Sequence, residues 1–155
     1  MFQEPFADRG SIVLAVAVLV GSLAAGGCSE NQSAEREQSN LKPLAVFYGR
    51  YLGQHRGQTP ANEQEFRNYI EATGKSQLTS MQVASVDELF VSSRDKKPYV
   101  VVYGLTSQGG AELPAATVIA YEQEGKSGKR FIARLLGAIE EVDETQFKQL
   151  VPNAK

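Results

Sequence analysis

The sequence predicts an α+β domain. Two N-terminal helices pack on a four- to five-stranded antiparallel meander, and a short C-terminal helix closes the chain. Three observations carry this prediction. Apolar residues recur at helical spacing through the stretch that begins at Leu41. After Lys75 that spacing gives way to short β-branched and aromatic runs separated by turn residues. A helix-start signature then appears at Asp143, close to the C-terminus. Helices segregated from a run of strands imply α+β rather than an alternating α/β order.

The first helix is LKPLAVFYGRYLGQH, with Asn40 as its cap and Pro43 tolerated in its first turn. Leu41, Leu44, Ala45, Tyr48 and Leu52 form its inward stripe. Gly49 and Gly53 weaken it while permitting close packing, and Gly57 is its stop. The second helix takes Thr59 as cap and Pro60 at its first position. Glu63 and Glu65 sit at its positive end, Phe66, Tyr69 and Ile70 form its apolar face, and Gly74 caps it.

Strands are predicted at VDELFVSS and PYVVVYG around the turn RDKK, then at ATVIAYE, RFIARLL and AIEEV. The run Val100, Val101, Val102 reads as a strand buried on both faces, with Pro98 at its start. Asp143 opens the last helix with Gln146 at the capping-box position. Phe147, Leu150 and Val151 face inward, and Pro152 ends it.

The N-terminus is built differently. Residues Ile12 to Gly27 carry no charge. Sixteen residues of helix reach roughly 24 Å, short of the ~30 Å hydrocarbon core, so the run fits the apolar region of a secretory signal better than a spanning helix. The preceding MFQEPFADRG has Arg9 but also Glu4 and Asp8, a weak positive leader. Behind the run, SENQSAEREQSN holds no apolar residue larger than alanine. The organisation expected is a signal segment over 1–27, a disordered tether over 28–40 and a small α+β domain over 41–155.

Ala24, Ala25, Gly26 and Gly27 lead into Cys28, the one cysteine of the chain. This stretch resembles the lipobox of bacterial lipoproteins, where slim side chains flank the cleaved bond and the thiol takes up diacylglycerol. Ala25 stands where leucine is usual. The resemblance implies lipidation at Cys28 and a mature chain beginning there. It also implies attachment to the membrane through that lipid, on the periplasmic side of the cell envelope. Ser29, rather than aspartate, implies the outer membrane rather than the inner.

A second resemblance lies in PYVVVYG together with ATVIAYEQEGKSGKRFIARLLGAIEEVDETQF. The latter resembles the C-terminal segment of prepilin-like proteins of planctomycete-type bacteria, known for a His-X9-Asp-Gly motif. Tyr121, Glu122, Phe131, Gly137, Val142 and Phe147 fit that layout. Gly137 matches the motif's glycine, but Leu136 holds the aspartate position and Lys126 the histidine position. The resemblance therefore implies a pseudopilin-like fold rather than a function. Leucine suits a tight two-residue turn poorly, so a longer turn or a bulge is expected at Leu136–Gly137. Prepilin leaders are cut after a glycine, and Gly10 before Ser11 and Ile12 stands at such a place. Ala15, however, replaces the glutamate expected five residues after the cut, and Gly26 and Gly27 interrupt the helix a pilin would continue.

Chemistry-bearing residues are few. The chain of 155 residues has 16 basic and 18 acidic side chains, a net charge of −2, one histidine and no tryptophan. That balance gives no basic excess for nucleic acid, and the Cys/His complement cannot build a zinc site. His55 ends the first helix, where the dipole explains it. Glu140 and Glu141 are adjacent on a strand and point to opposite faces, so they cannot act as a pair. GKSGKR has neither the spacing nor the following helix of a phosphate loop. No catalytic, cofactor-binding or metal residue is expected.

The function expected is a lipid-anchored binding or scaffolding module, with another envelope protein as partner. The alternative is a prepilin-like subunit of a secretion or pilus-type assembly that retains its apolar helix. A small-ligand sensor or an enzyme would instead need a concave pocket near the tyrosines, among them Tyr99, Tyr103 and Tyr121.

Overall fold

The structure, a computed structural model, describes residues 34–106, 113–152 and 154. It is α+β. Helices α1 (Leu41–Gln54), α2 (Glu63–Thr73), α3 (Lys75–Ser80) and α4 (Val86–Leu89) precede four strands. These are β1 (Val100–Val101), β2 (Val118–Tyr121), β3 (Lys129–Arg134) and β4 (Ile139–Asp143), followed by α5 (Glu144–Leu150). All neighbours are antiparallel and the sheet order is β1-β2-β3-β4, a meander.

Helix α1 buries Leu41, Leu44, Ala45, Phe47, Tyr48 and Tyr51, a wider face than the predicted stripe, because it meets more than the sheet. The same core holds Phe66 and Ile70 of α2 and Leu89 of α4. It also holds Ile119, Phe131, Ala133 and Ile139 of the sheet. Tyr48 stands edge-on to Phe66 at 5.5 Å between centroids. On the other face of the sheet, Tyr121, Ile132 and Val142 pack with Phe147 of α5. Phe131, Ile132 and Ala133 thus alternate between two cores, and all three are fully buried.

Several expectations need correction. VDELFVSS is not a strand. Ser85 Oγ accepts the Glu88 N–H at 3.1 Å, and the Glu88 carboxylate accepts the Ala84 N–H at 2.9 Å, so the segment starts helix α4. Its remainder touches the next strand through the single bridge Val91–Pro98. The sheet therefore has four strands in the described residues, without a fifth. Lys75 opens α3 rather than a strand.

Caps differ too. Asn62, not Thr59, caps α2, accepting the Glu65 N–H at 3.0 Å, while Thr59 donates to Leu105 O. Pro60 is buried ahead of the helix. Asn40 does not cap α1 with its side chain; its amide donates to Glu88 O at 2.8 Å and Val91 O at 3.3 Å, tying α1 to α4. Gly74 does end α2, with right-handed backbone. Glycine is required there by a close approach: a Cβ would lie 2.6 Å from the Phe47 ring.

Of the stretch placed by composition in the tether, residues 34–40 are described, and Ser39 and Asn40 are bonded to the domain. Residues 34–37 make a helical turn and Ser39 is buried, its hydroxyl 3.2 Å from that of Tyr99. The β3–β4 hairpin has the longer turn expected at Leu136–Gly137. Gly137 N–H donates to Arg134 O at 2.8 Å with φ of 85°, and Arg134 N–H donates across to Ala138 O at 2.9 Å. Leu136, 79% exposed, rides the tip.

Candidate functional site

Cys28, expected to carry the lipid, lies outside the described residues, as do the expected signal segment 1–27 and the first part of the expected tether. Among the described residues, no helix is long and apolar enough to cross a membrane.

A groove of about 750 Å³ lies between the β1–β2 edge of the sheet and the end of α5. Val100, Val102, Val118 and Tyr121 form its floor, and Leu150 and Val151 form one wall. It exists because α5 is short. Its Phe147 covers Tyr121, at 5.0 Å between ring centroids, but the helix ends at Leu150, before it reaches β1. Val100 and Val102, on the α5 face, are consequently half-buried, and Val101, which packs toward the α1 core, is half-buried as well, so the run is not buried on both faces as the sequence suggested. Val118 is half-buried and Leu150 exposed. Arg134 closes one end of the groove. It holds Glu140 through Nε at 2.6 Å and Nη2 at 2.8 Å, and donates from Nη1 to Ala116 O. That pairing keeps the Glu140 carboxyl below its usual range, the arginine hydrogen bond being the main cause. Among the described residues strand β1 is the edge of the sheet, so the groove runs beside a sheet edge.

Glu141 points away from Glu140 and meets Arg94, Nη2 to Oε1 at 2.9 Å. Arg94 belongs to a buried ionic hub on the α1 face of the sheet that sequence reasoning missed. Its guanidinium lies over the Phe131 ring, 3.8 Å from the centroid, and its side chain is 5% exposed. Glu122, fully buried, accepts from Ser92 Oγ at 2.9 Å and from Phe131 N–H at 2.8 Å, with Arg94 Nη1 3.5 Å away. Burial pushes the Glu122 carboxyl above its usual range, against the pull of Phe131 N–H, Ser92 and Arg94. Asp95, next in the same turn, accepts N–H groups of Lys97, Glu124 and Gly125 at 2.9–3.1 Å. These hydrogen bonds outweigh its desolvation and hold its carboxyl below the usual range. The hub thus pins the 92–98 turn to the β2–β3 hairpin.

GKSGKR is that hairpin's turn. Lys126 and Lys129 exchange backbone hydrogen bonds at 2.8 and 3.0 Å, and Ser127 and Gly128 both have positive φ, 54° and 73°. This is the two-residue geometry that matches strand twist. The Gly125 N–H that a phosphate would need goes to Asp95.

His55 stacks on Tyr51, centroids 3.8 Å apart and planes within 6°, and its Nδ1 lies 2.8 Å from Tyr51 O. Tyr51 donates its hydroxyl to Glu65, and its own ionisation is pushed up to about 12, desolvation first. This is helix-end packing, and nothing in it converges on a cleft. Of the tyrosines, Tyr99 is buried, while Tyr103 and Tyr121 line the groove. Among the described residues no group of three or more His, Cys, Asp or Glu is arranged to hold a metal.

Compared with known proteins, the chain matches no family model, no curated protein and no solved structure.

Proposed function

We propose that this chain is a lipid-anchored cell-envelope protein whose α+β domain, pseudopilin-like in its helix-then-meander order, works as a binding or scaffolding module. It is anchored through Cys28, faces the periplasm from the outer membrane and takes another envelope protein as partner. It performs no catalysis and uses no cofactor or nucleic acid. The observation that carries the binding role is the apolar groove beside edge strand β1. Apolar surface of that extent, floored by three valines and a tyrosine, is the kind proteins keep for recognition. An extended segment can add to a sheet edge while setting alternate side chains in an adjoining groove. The anchor rests on the small residues before Cys28 and the polar stretch after it.

Mass spectrometry of the mature N-terminus, isolated from the native host, tests this reading. A diacylglycerol-modified Cys28 supports it. An unmodified Cys28 in a chain starting at Met1 or Ser11 would overturn it. A start at Ser11 would move the chain to the prepilin-like alternative, which the Gly10–Ser11–Ile12 junction favours.

A further inference from the structure

Residues 34–38 differ from everything that follows them. They offer the body no apolar side chain larger than Ala34, and Ala34, Glu37 and Gln38 are exposed. Their hold on the domain is ionic: Glu35 Oε1 lies 2.6 Å from Lys126 Nζ and its Oε2 lies 3.7 Å from Arg94 Nε, while Glu37 Oε2 lies 2.7 Å from Lys42 Nζ of α1. The Arg94 distance is too long for a hydrogen bond. The Lys126 hydrogen bond keeps the Glu35 carboxyl below its usual range, so it stays ionised at neutral pH. The segment is only partly packed down: Arg36 is half-buried, with its Nε shielded from solvent and without a hydrogen-bond partner. A cavity of about 240 Å³ lies beneath it, lined by Glu35, Gln38, Ser93, Arg94 and Lys126. One residue later the character changes: Ser39 is buried against Tyr99 and Leu41 is fully buried.

We propose that residues 34–38 form a releasable strap, latched to the Lys126–Arg94 corner by Glu35, tied to Lys42 by Glu37 and hinged at Ser39, that can leave the domain without unfolding its core. Exposed ion pairs are weak and screened by salt, so such a latch opens under conditions that leave the core intact. Opening converts a helical turn to extended chain. Five residues then gain on the order of 10 Å in reach, from 1.5 Å per residue to about 3.4 Å. In an anchored protein that lengthens the link between Cys28 and the groove; this consequence rests on the anchored reading, whereas the latch does not.

The test is amide hydrogen exchange of the full chain in detergent, read at Gln38 and Ser39. Those N–H groups donate to Ala34 O and Arg36 O within the strap. Glu35→Gln and Lys126→Gln should each speed exchange about threefold, the double variant no more than either single. Added salt should do the same to the unmodified chain, while α1 amides and the denaturation midpoint stay unchanged. Unchanged exchange at Gln38 and Ser39 in both variants would overturn the proposal. So would faster exchange spreading in parallel into Leu44 and Ala45, which would make the segment part of the core. Either result leaves the Cys28 reading untouched, because lipidation is read separately by mass.

Discussion

The two faces of the sheet make the most informative comparison in this molecule. The α1 face is closed by a long helix, backed by α2 and α4, and sealed at its far corner by the Arg94–Glu122 hub. The opposite face is closed over β3 and β4 by the seven residues of α5 and left open over β1 and β2. One face buries most of its residues; the other keeps apolar side chains half in solvent. The difference shows where the fold is maintained and where the chain has surface to offer, since burial drives folding but half-burial contributes only part of it.

Substitutions should separate the faces by size of effect. The largest belongs to Arg94. Arg94→Ala leaves Glu122 and Glu141 without their shared cation and uncovers the Phe131 ring. It should cost about 3–5 kcal/mol in urea denaturation, as breaking buried ion pairs does. A loss below ~1 kcal/mol would show the hub to be peripheral. Removing a core aromatic by Phe66→Ala should cost about as much, roughly 3–5 kcal/mol, by leaving a cavity beside Tyr48 and Phe90. In the groove the same class of change should be mild. Val102→Ala, in a half-buried position, should cost about 1 kcal/mol or less while weakening partner capture. Equal losses on both faces would end the distinction drawn between them.

The smallest effect is in pH dependence, where two carboxylates of the hub region act with opposite sign. Asp95 has a lowered value in the folded protein, so its contribution is present above the unfolded value near 3.8 and is lost as pH falls through the folded one. Glu122 has a raised value, so the folded state binds its proton more readily. Its contribution is full below the unfolded value near 4.5 and is lost as pH rises through the folded one. Denaturation midpoints measured across the acidic range should lose the Asp95 dependence in Asp95→Asn and the Glu122 dependence in Glu122→Gln. A Glu122→Gln curve that kept the wild-type dependence above pH ~4.5 would contradict the assignment.

Much of the architecture is legible in the residues. The helical spacing of Leu41, Leu44 and Tyr48, the meander after Pro98 and the capping box Asp143–Gln146 all correspond to observed features. The same signature was present twice more, as Asn62-x-x-Glu65 and Ser85-x-x-Glu88. There the glutamate returns to the residue before the cap. Reading the apolar residues of VDELFV as a strand missed the second of these, because four residues of helix are too short to show a period. The groove was not legible, since it arises from where α5 stops relative to β1, a tertiary fact. Nor was the hub. Glu122 and Arg94 are far apart in the chain and meet only because the 92–98 turn docks on the β2–β3 hairpin through Ser92 and Asp95. Their one signal was a glutamate directly after the buried strand VIAY.

The most direct measurement of the central claim is site-specific photo-crosslinking in the native host. A crosslinker placed at Val102, on the groove floor, is compared with one at Leu136, on the exposed hairpin tip. The account predicts a discrete adduct with one envelope protein from Val102 and none from Leu136. No adduct from Val102, or the same adducts from both positions, would contradict it.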